Sequence, residues 1–460
     1  MKRELIEQWI ADHEEEFLAD LGKLIGIRSV SQPGTAGAHP FGDPCAEVLD
    51  VALAMAEGYG LKTANQDYYY GEVTYGEGKE SLGFAVHLDV VPEGEGWDHP
   101  PYSLTREGEL LFGRGVEDDK GPALLAMYAL RCLKELGYLP HHRMRVFLGC
   151  SEETGGMSDI VHLKEVGEEF RFVLVPDAEF PLCNGEKGIL EAWLSIPCGR
   201  LQLSSGTVSN VLPDRAELFL PGIADDDFPE AEGITLSKGD TGLAVTATGI
   251  TAHASRPADG IDALLRLANY AGQLSLPEEE KKAMAFLKQL IEGHDGSGIG
   301  IACEDEPSGA LTLISGIVKT EEGRMLVNVN IRYPSTADGD GVADGLRTGV
   351  AAAGGQVDSL DNSPGYYIPA EDPAIAAVME VYTEETGSPA GTYRMGGGTY
   401  ARMLKNAAAF GPCFPDEDKG LPLGKGGCHQ PDEAIPLSWM QKALMIYIRA
   451  LCRLDACLSD

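Results

Sequence analysis

Strand-like runs at residues 82–86, 145–149 and 172–175 each lead to a histidine or to carboxylates, and helical patterns lie between them. Runs this short suit strands buried on both faces. Alternation with helices predicts a parallel sheet covered on both sides, which presents its ligand site beyond the carboxyl ends of its strands. The first run, LGFAV, leads into His87 and Asp89, the second into Glu152 and Glu153, and the third into Asp177. A further pair, Asp118 and Asp119, stands ahead of the strongly apolar helix expected over 122–136. Residues i and i+2 of an extended backbone point the same way, so Asp89 is expected to bond one nitrogen of the His87 ring and leave the other for a metal.

Amphipathic helices are expected over 4–25 and 43–60 at the start of the chain, and another over 158–166. From about residue 189 the pattern changes. Strand-like segments at 191–196, 216–220, 243–248, 310–318 and 324–333 are joined by loops and interrupted by helices at 262–275, 277–292 and 341–353. That is an α+β pattern. A helix over 373–386 then returns the chain to the first domain, followed by a glycine-rich turn, a strand at 407–410, a loop carrying His429 and a closing helix over 437–454. The predicted fold is therefore α/β: a domain of residues 1–188 and 370–460 with a mostly parallel sheet flanked by helices, plus an inserted α+β domain over 189–369.

The chain's 460 residues include 36 basic and 72 acidic side chains, a formal charge of −36 that argues against nucleic acid or an anionic membrane as partner. Ten cysteines are scattered singly, none in CxxC spacing, and read as reduced thiols. They point to a cytoplasmic protein. Residues 1–20 are charged and amphipathic, without the apolar core of a signal peptide, and no run of eighteen apolar residues occurs.

Taken singly, each polar motif has a plain structural role open to it. The Glu152–Glu153 pair could begin a helix, Asp118 and Asp119 could cap one, Asp177 could close a turn, and His429 could sit in a surface loop. Taken jointly, two histidines and three carboxylates make the ligand set that two divalent ions of borderline hardness require.

The motifs HLDVVPEGEGW, PPY, GRGVEDDKGP, SEETGG, VPDAEFP, GEKG, SNVLP, TAHASRP, NIRYP, GGGTYAR and HQPDE occur in this order over nearly the whole chain. In them the sequence resembles the cocatalytic-zinc peptidases and deacylases that include aminoacylase and succinyl-diaminopimelate desuccinylase, and within these the PepV-type dipeptidases. The resemblance implies two Zn2+ ions, with Mn2+ or Co2+ as substitutes. His87 and Asp177 would hold one, Glu153 and His429 the other, and Asp118 would bridge both. It makes Glu152 the general base, Asp89 the partner of His87, and His253 a transition-state stabiliser from the inserted domain. Asn210, Arg332 and the turn residues Gly397, Gly398 and Thr399 would bind substrate. The HQPDE match points to His429 as the second metal histidine, with His162 and His294 as alternatives, and His99 reads as structural. The resemblance also implies a cis peptide between Asp118 and Asp119.

The expected activity is hydrolysis of dipeptides or very short peptides with a free carboxylate by an active monomer, its inserted domain a mobile lid. An N-acyl amino acid deacylase or carboxypeptidase is the alternative, and a non-catalytic metal- or peptide-binding member a third. Glu152 speaks against the last, since a binding module has no use for a base beside metals.

Overall fold

The strand Ser81–His87 is buried along its whole length in the computed structural model of the protein, which describes residues 1–460 except 33–38, 223–227, 423 and 460. It runs parallel to Arg143–Gly149 on one side and to Phe172–Val175 on the other. Ala407–Phe410 adds a fourth parallel strand beside Phe172–Val175. Antiparallel strands extend both edges of this group. The hairpin Lys62–Gln66 and Tyr70–Tyr75 pairs onto Arg143–Gly149, and Leu182 and Cys183 pair onto Phe410 and Ala409.

The chain packs as two units, one of Met1–Asn184, Ile368–Tyr393 and Thr399–Asp460, the other of Gly185–Tyr367 and Arg394–Gly398. In the first, Phe84, Val86, Val146, Leu148 and Leu174 of the parallel strands share a buried core with helices Lys120–Glu135 and Leu437–Cys457. The expected helix over 4–25 is two helices, Arg3–Asp12 and Glu14–Ile25. His13 ends the first by donating its N–H to Ile10, and Glu14, Glu15 and Glu16 crowd the next first turn, where the helix dipole favours acids.

The second unit is built on an eight-stranded antiparallel sheet. Its strand Arg324–Tyr333 shows the two-residue period plainly. Val327, Val329 and Ile331 join a core with Leu267, Leu287 and Leu346 from helices Ala263–Ala271, Glu278–Ile291 and Gly339–Ala352. Asn328, Asn330 and Arg332 therefore occupy the opposite face. The single strand expected over 310–318 is instead a short piece, Gly309–Ala310, and a long one, Thr312–Glu321, whose register shifts between Ile314 and Ile317. No helix among the described residues is long and apolar enough to cross a membrane.

Candidate active site

At the carboxyl ends of the parallel strands two histidines and four carboxylates of the first unit come together. His87 Nε2 lies 3.0 Å from Asp118 Oδ1 and 3.8 Å from Asp177 Oδ2. His429 Nε2 lies 3.1 Å from Asp118 Oδ2 and 3.1 Å from Glu153 Oε2. Asp118 thus offers one oxygen to each histidine. Donor atoms of His87, Glu152 and Asp177 lie within 4.8 Å of one another, as do those of His87, Asp118 and Glu153. Proximity alone puts Glu152 on the same footing as a ligand.

The charges of this cluster are poorly balanced by its own residues. Burial, together with the neighbouring carboxylates, pushes Glu152, Glu153 and Asp177 up. Asp118 goes the other way: burial raises it, but the imidazoles of His429 and His87 close beside it hold it well below the usual range. Asp118 and Glu153 in turn drive the His429 imidazole up to about 11. His87 Nε2 and Glu153 Oε1 are buried without a hydrogen-bond partner. Crowded acids with two orphaned donor atoms of metal-ligand type fit divalent cations.

Several buried side chains hold the cluster in place. His87 Nδ1 bonds the backbone oxygen of Asp89 at 2.9 Å, while the Asp89 carboxylate stands 3.5 Å from that nitrogen. The carboxylate instead accepts the N–H groups of Glu152 and Glu153. The expected carboxylate–imidazole bond is thus replaced by one from the ring to the Asp89 carbonyl, because the carboxylate is taken up by the N–H groups of Glu152 and Glu153. Asp119 accepts the N–H of His87 at 2.9 Å, and the Asp118–Asp119 peptide is cis, as the resemblance implies. Glu433 Oε1 takes the N–H groups of Gly115, Glu117 and Asp118, and its other oxygen pairs with Arg114. His429 sits at φ 62°, in the left-handed region, on a loop fixed by the bond from Lys419 to Gly426 O and by the ion pair of Lys425 with Asp432. What the sequence did not signal is that Asp119, Glu433 and Asp89 accept backbone N–H groups distant in the chain, or that Asp159 anchors the start of the 150–153 turn.

The residues expected from the insertion gather within the second unit. Val211 pairs with His253, and Asn210 O accepts the N–H of Ala254. Ala254 O accepts from Thr312, which lies opposite Arg332 in the sheet. Arg332 donates to Asn330 Oδ1 and to Gly396 O, and Asn330 is bonded in turn to Glu191. His253 Nδ1 bonds Ser255 Oγ at 2.7 Å. A Cβ on Gly396 would meet the Ser255 side chain, so that turn residue must be glycine. Gly397 and Gly398 follow in this unit, whereas Thr399 belongs to the first, where its hydroxyl caps the short helix Tyr400–Arg402. The other histidines weighed have structural partners: His294 bonds Asp262, His162 stacks on Tyr69, and His99 stacks on Phe112 and bonds Asp432.

A parallel sheet with this acid–histidine cluster at its strand ends defines a metal-dependent hydrolase. The chain belongs to Peptidase family M20/M25/M40, whose profile matches residues 83–453. It is 32% identical over 462 residues to a Bacillus subtilis (strain 168) protein named "Putative dipeptidase YtjP", covering 96% of this chain and 97% of that one. Its fold is similar to that of human carnosine dipeptidase 1, with a TM-score of 0.60 at 14% identity over 99% of this chain and 100% of the other. It is also similar to that of the Bacillus subtilis YXEP protein, described as a dinuclear metal binding peptidase from the M20 family, with a TM-score of 0.51 at 10% identity over 96% and 99% of the two chains.

Proposed function

We propose that the protein hydrolyses the peptide bond of dipeptides and very short peptides carrying a free carboxylate. The observation that carries this reading is Asp118, whose two oxygens each stand beside a different histidine. The dipeptidase names of the Bacillus subtilis relative and of the human structure support the substrate class, and the YXEP description supports two metals. His87 and Asp177 would hold one ion, Glu153 and His429 the other, with Asp118 shared. Bound zinc, or manganese or cobalt in its place, lowers the pKa of a water and polarises the scissile carbonyl.

Glu152 takes the proton of the attacking water and passes it to the departing amine. His253 donates to the developing oxyanion, its ring held through Nδ1 by Ser255. The planar fork of Arg332 binds the substrate carboxylate, and Asn210 and the turn residues Gly397, Gly398 and Thr399 bind substrate. We further propose an active monomer in which His253 serves the cluster of its own chain, and a reducing, cytoplasmic location suited to ten scattered cysteines.

The test assays purified protein on dipeptides, tripeptides and N-acetyl amino acids with zinc, manganese and cobalt added separately. Dipeptides with a free α-amino group should be cleaved fastest. Faster turnover of N-acetyl amino acids would overturn the dipeptidase reading in favour of a deacylase.

A further inference from the structure

The segment Cys150–Glu153 carries both the proposed base and a proposed metal ligand, and four of its successive N–H groups point at two buried carboxylates. Cys150 and Ser151 donate to Asp159 Oδ2 at 2.8 and 2.9 Å. Glu152 and Glu153 donate to Asp89 Oδ1 and Oδ2 at 3.3 and 3.1 Å. The other Asp159 oxygen accepts from the N–H of Ile160 in the first turn of helix Ser158–Val166. Tyr400 supplies the fourth donor to Asp159, its hydroxyl bonding Oδ2. Asp159 and Tyr400 are both fully buried. Gly149, which leads into the turn, has no room for a side chain: a Cβ there would overlap the Tyr400 hydroxyl and the Asp159 carboxylate. Tyr400 lies in the GGGTYAR stretch, whose glycines and threonine were assigned to substrate, but the tyrosine itself has no place in the reaction described above.

We propose that Asp159 and Tyr400 form a positioning pair that sets the direction of the Glu152 carboxylate through the backbone of the 150–153 turn. The inference rests on Glu152 being the base, and it extends that reading to residues that touch neither substrate nor metal. The physical argument is one of leverage. Two N–H groups anchored on Asp159 fix the start of the turn, Asp89 fixes its end, and the Glu152 side chain leaves from between them. Removing the tyrosine hydroxyl takes a donor from a buried carboxylate, which then relaxes toward other partners and carries the turn with it. Tyr400→Phe keeps the ring that packs against Phe147 and His87, with centroids 5.6 and 6.2 Å away, so it removes one oxygen and little packing.

The experiment measures kcat and KM for a dipeptide in four proteins: the parent, Tyr400→Phe, Glu152→Gln and the double variant. It adds amide hydrogen exchange over residues 150–153 in metal-stripped protein. Tyr400→Phe should lower kcat roughly 10- to 100-fold with KM little changed, speed exchange at Cys150 and Ser151, and have no further effect once Glu152 is already Gln. Asp159→Asn should reproduce the kcat loss, and if it fails to fold, Tyr400→Phe alone decides. An equal loss in both backgrounds would mean that the pair acts on general stability, and an unchanged kcat in Tyr400→Phe would also overturn the proposal. Should Glu152→Gln itself keep most of its rate, the proposed base is wrong, a failure distinguishable from that of the pair.

Discussion

Replacing Glu433 by Gln should be among the most damaging single-atom changes in the first unit. The side chains of Arg114 and Glu433 are 1% and 0% exposed and pair at 2.6 Å. An amide at 433 leaves Arg114 buried without a countercharge, a loss of about 3–5 kcal/mol for a broken buried pair. At roughly 2–4 °C per kcal/mol for domains near this size, the melting temperature should fall by roughly 6–20 °C. Gln still offers one oxygen to the N–H groups of Gly115, Glu117 and Asp118, so the turn carrying Asp118 should loosen rather than collapse, with metal affinity down by about tenfold. Differential scanning calorimetry and chelator competition read the two effects. The double variant Arg114→Met/Glu433→Gln removes the stranded charge and should recover most of the melting temperature while metal affinity stays low. A Glu433→Gln protein melting within about 2 °C of the parent, a change below about 1 kcal/mol, would refute the argument that this buried pair supports the site.

Glu152→Gln should keep both metals by elemental analysis while turnover falls about 10²- to 10⁴-fold, whereas Glu153→Ala should lose one metal equivalent. The reverse pattern would exchange their roles. Arg332→Lys should raise KM for dipeptides by roughly 10- to 100-fold, the worth of one charge-assisted hydrogen bond, and leave C-terminally amidated analogues nearly unaffected; equal effects on both would remove the carboxylate role. Mixing His253→Ala chains with Glu152→Gln chains should restore no activity, and any recovery would show sites shared between chains.

Much of the fold was legible because its strands are short apolar runs with abrupt polar ends. Phe172–Val175, Ala407–Phe410, Arg324–Tyr333, Ser158–Val166 and Pro373–Thr386 have the bounds their patterns suggest. The hairpin of Lys62–Gln66 and Tyr70–Tyr75 was not legible: Lys62–Gln66 has no buried residue, and its pairing is decided by the sheet edge it joins. At the site, His87, Asp118, Glu153, Asp177 and His429 stand together as the motifs suggested, since each lies at a strand end, on a turn or on a loop. The carbonyl that replaces the Asp89 carboxylate at His87 had no signal, because the N–H groups that take up that carboxylate lie 63 and 64 positions further along the chain. Asp159 and Tyr400 were silent for a related reason. They meet across 241 positions of sequence, and only the folded sheet makes them neighbours.

The order of the strands bears on synthesis at the ribosome. Ala407–Phe410 fits between Phe172–Val175 and Leu182, so its place in the sheet stays open until more than two hundred further residues have been translated. The long closing helix Leu437–Cys457 emerges later still. The bulk of the second unit, by contrast, is one uninterrupted stretch, Gly185–Tyr367, and can mature while the first unit waits for its last strand. A nascent chain stalled before residue 407 would therefore expose the apolar edge of Phe172–Val175, and this is the point at which a chaperone has most to protect.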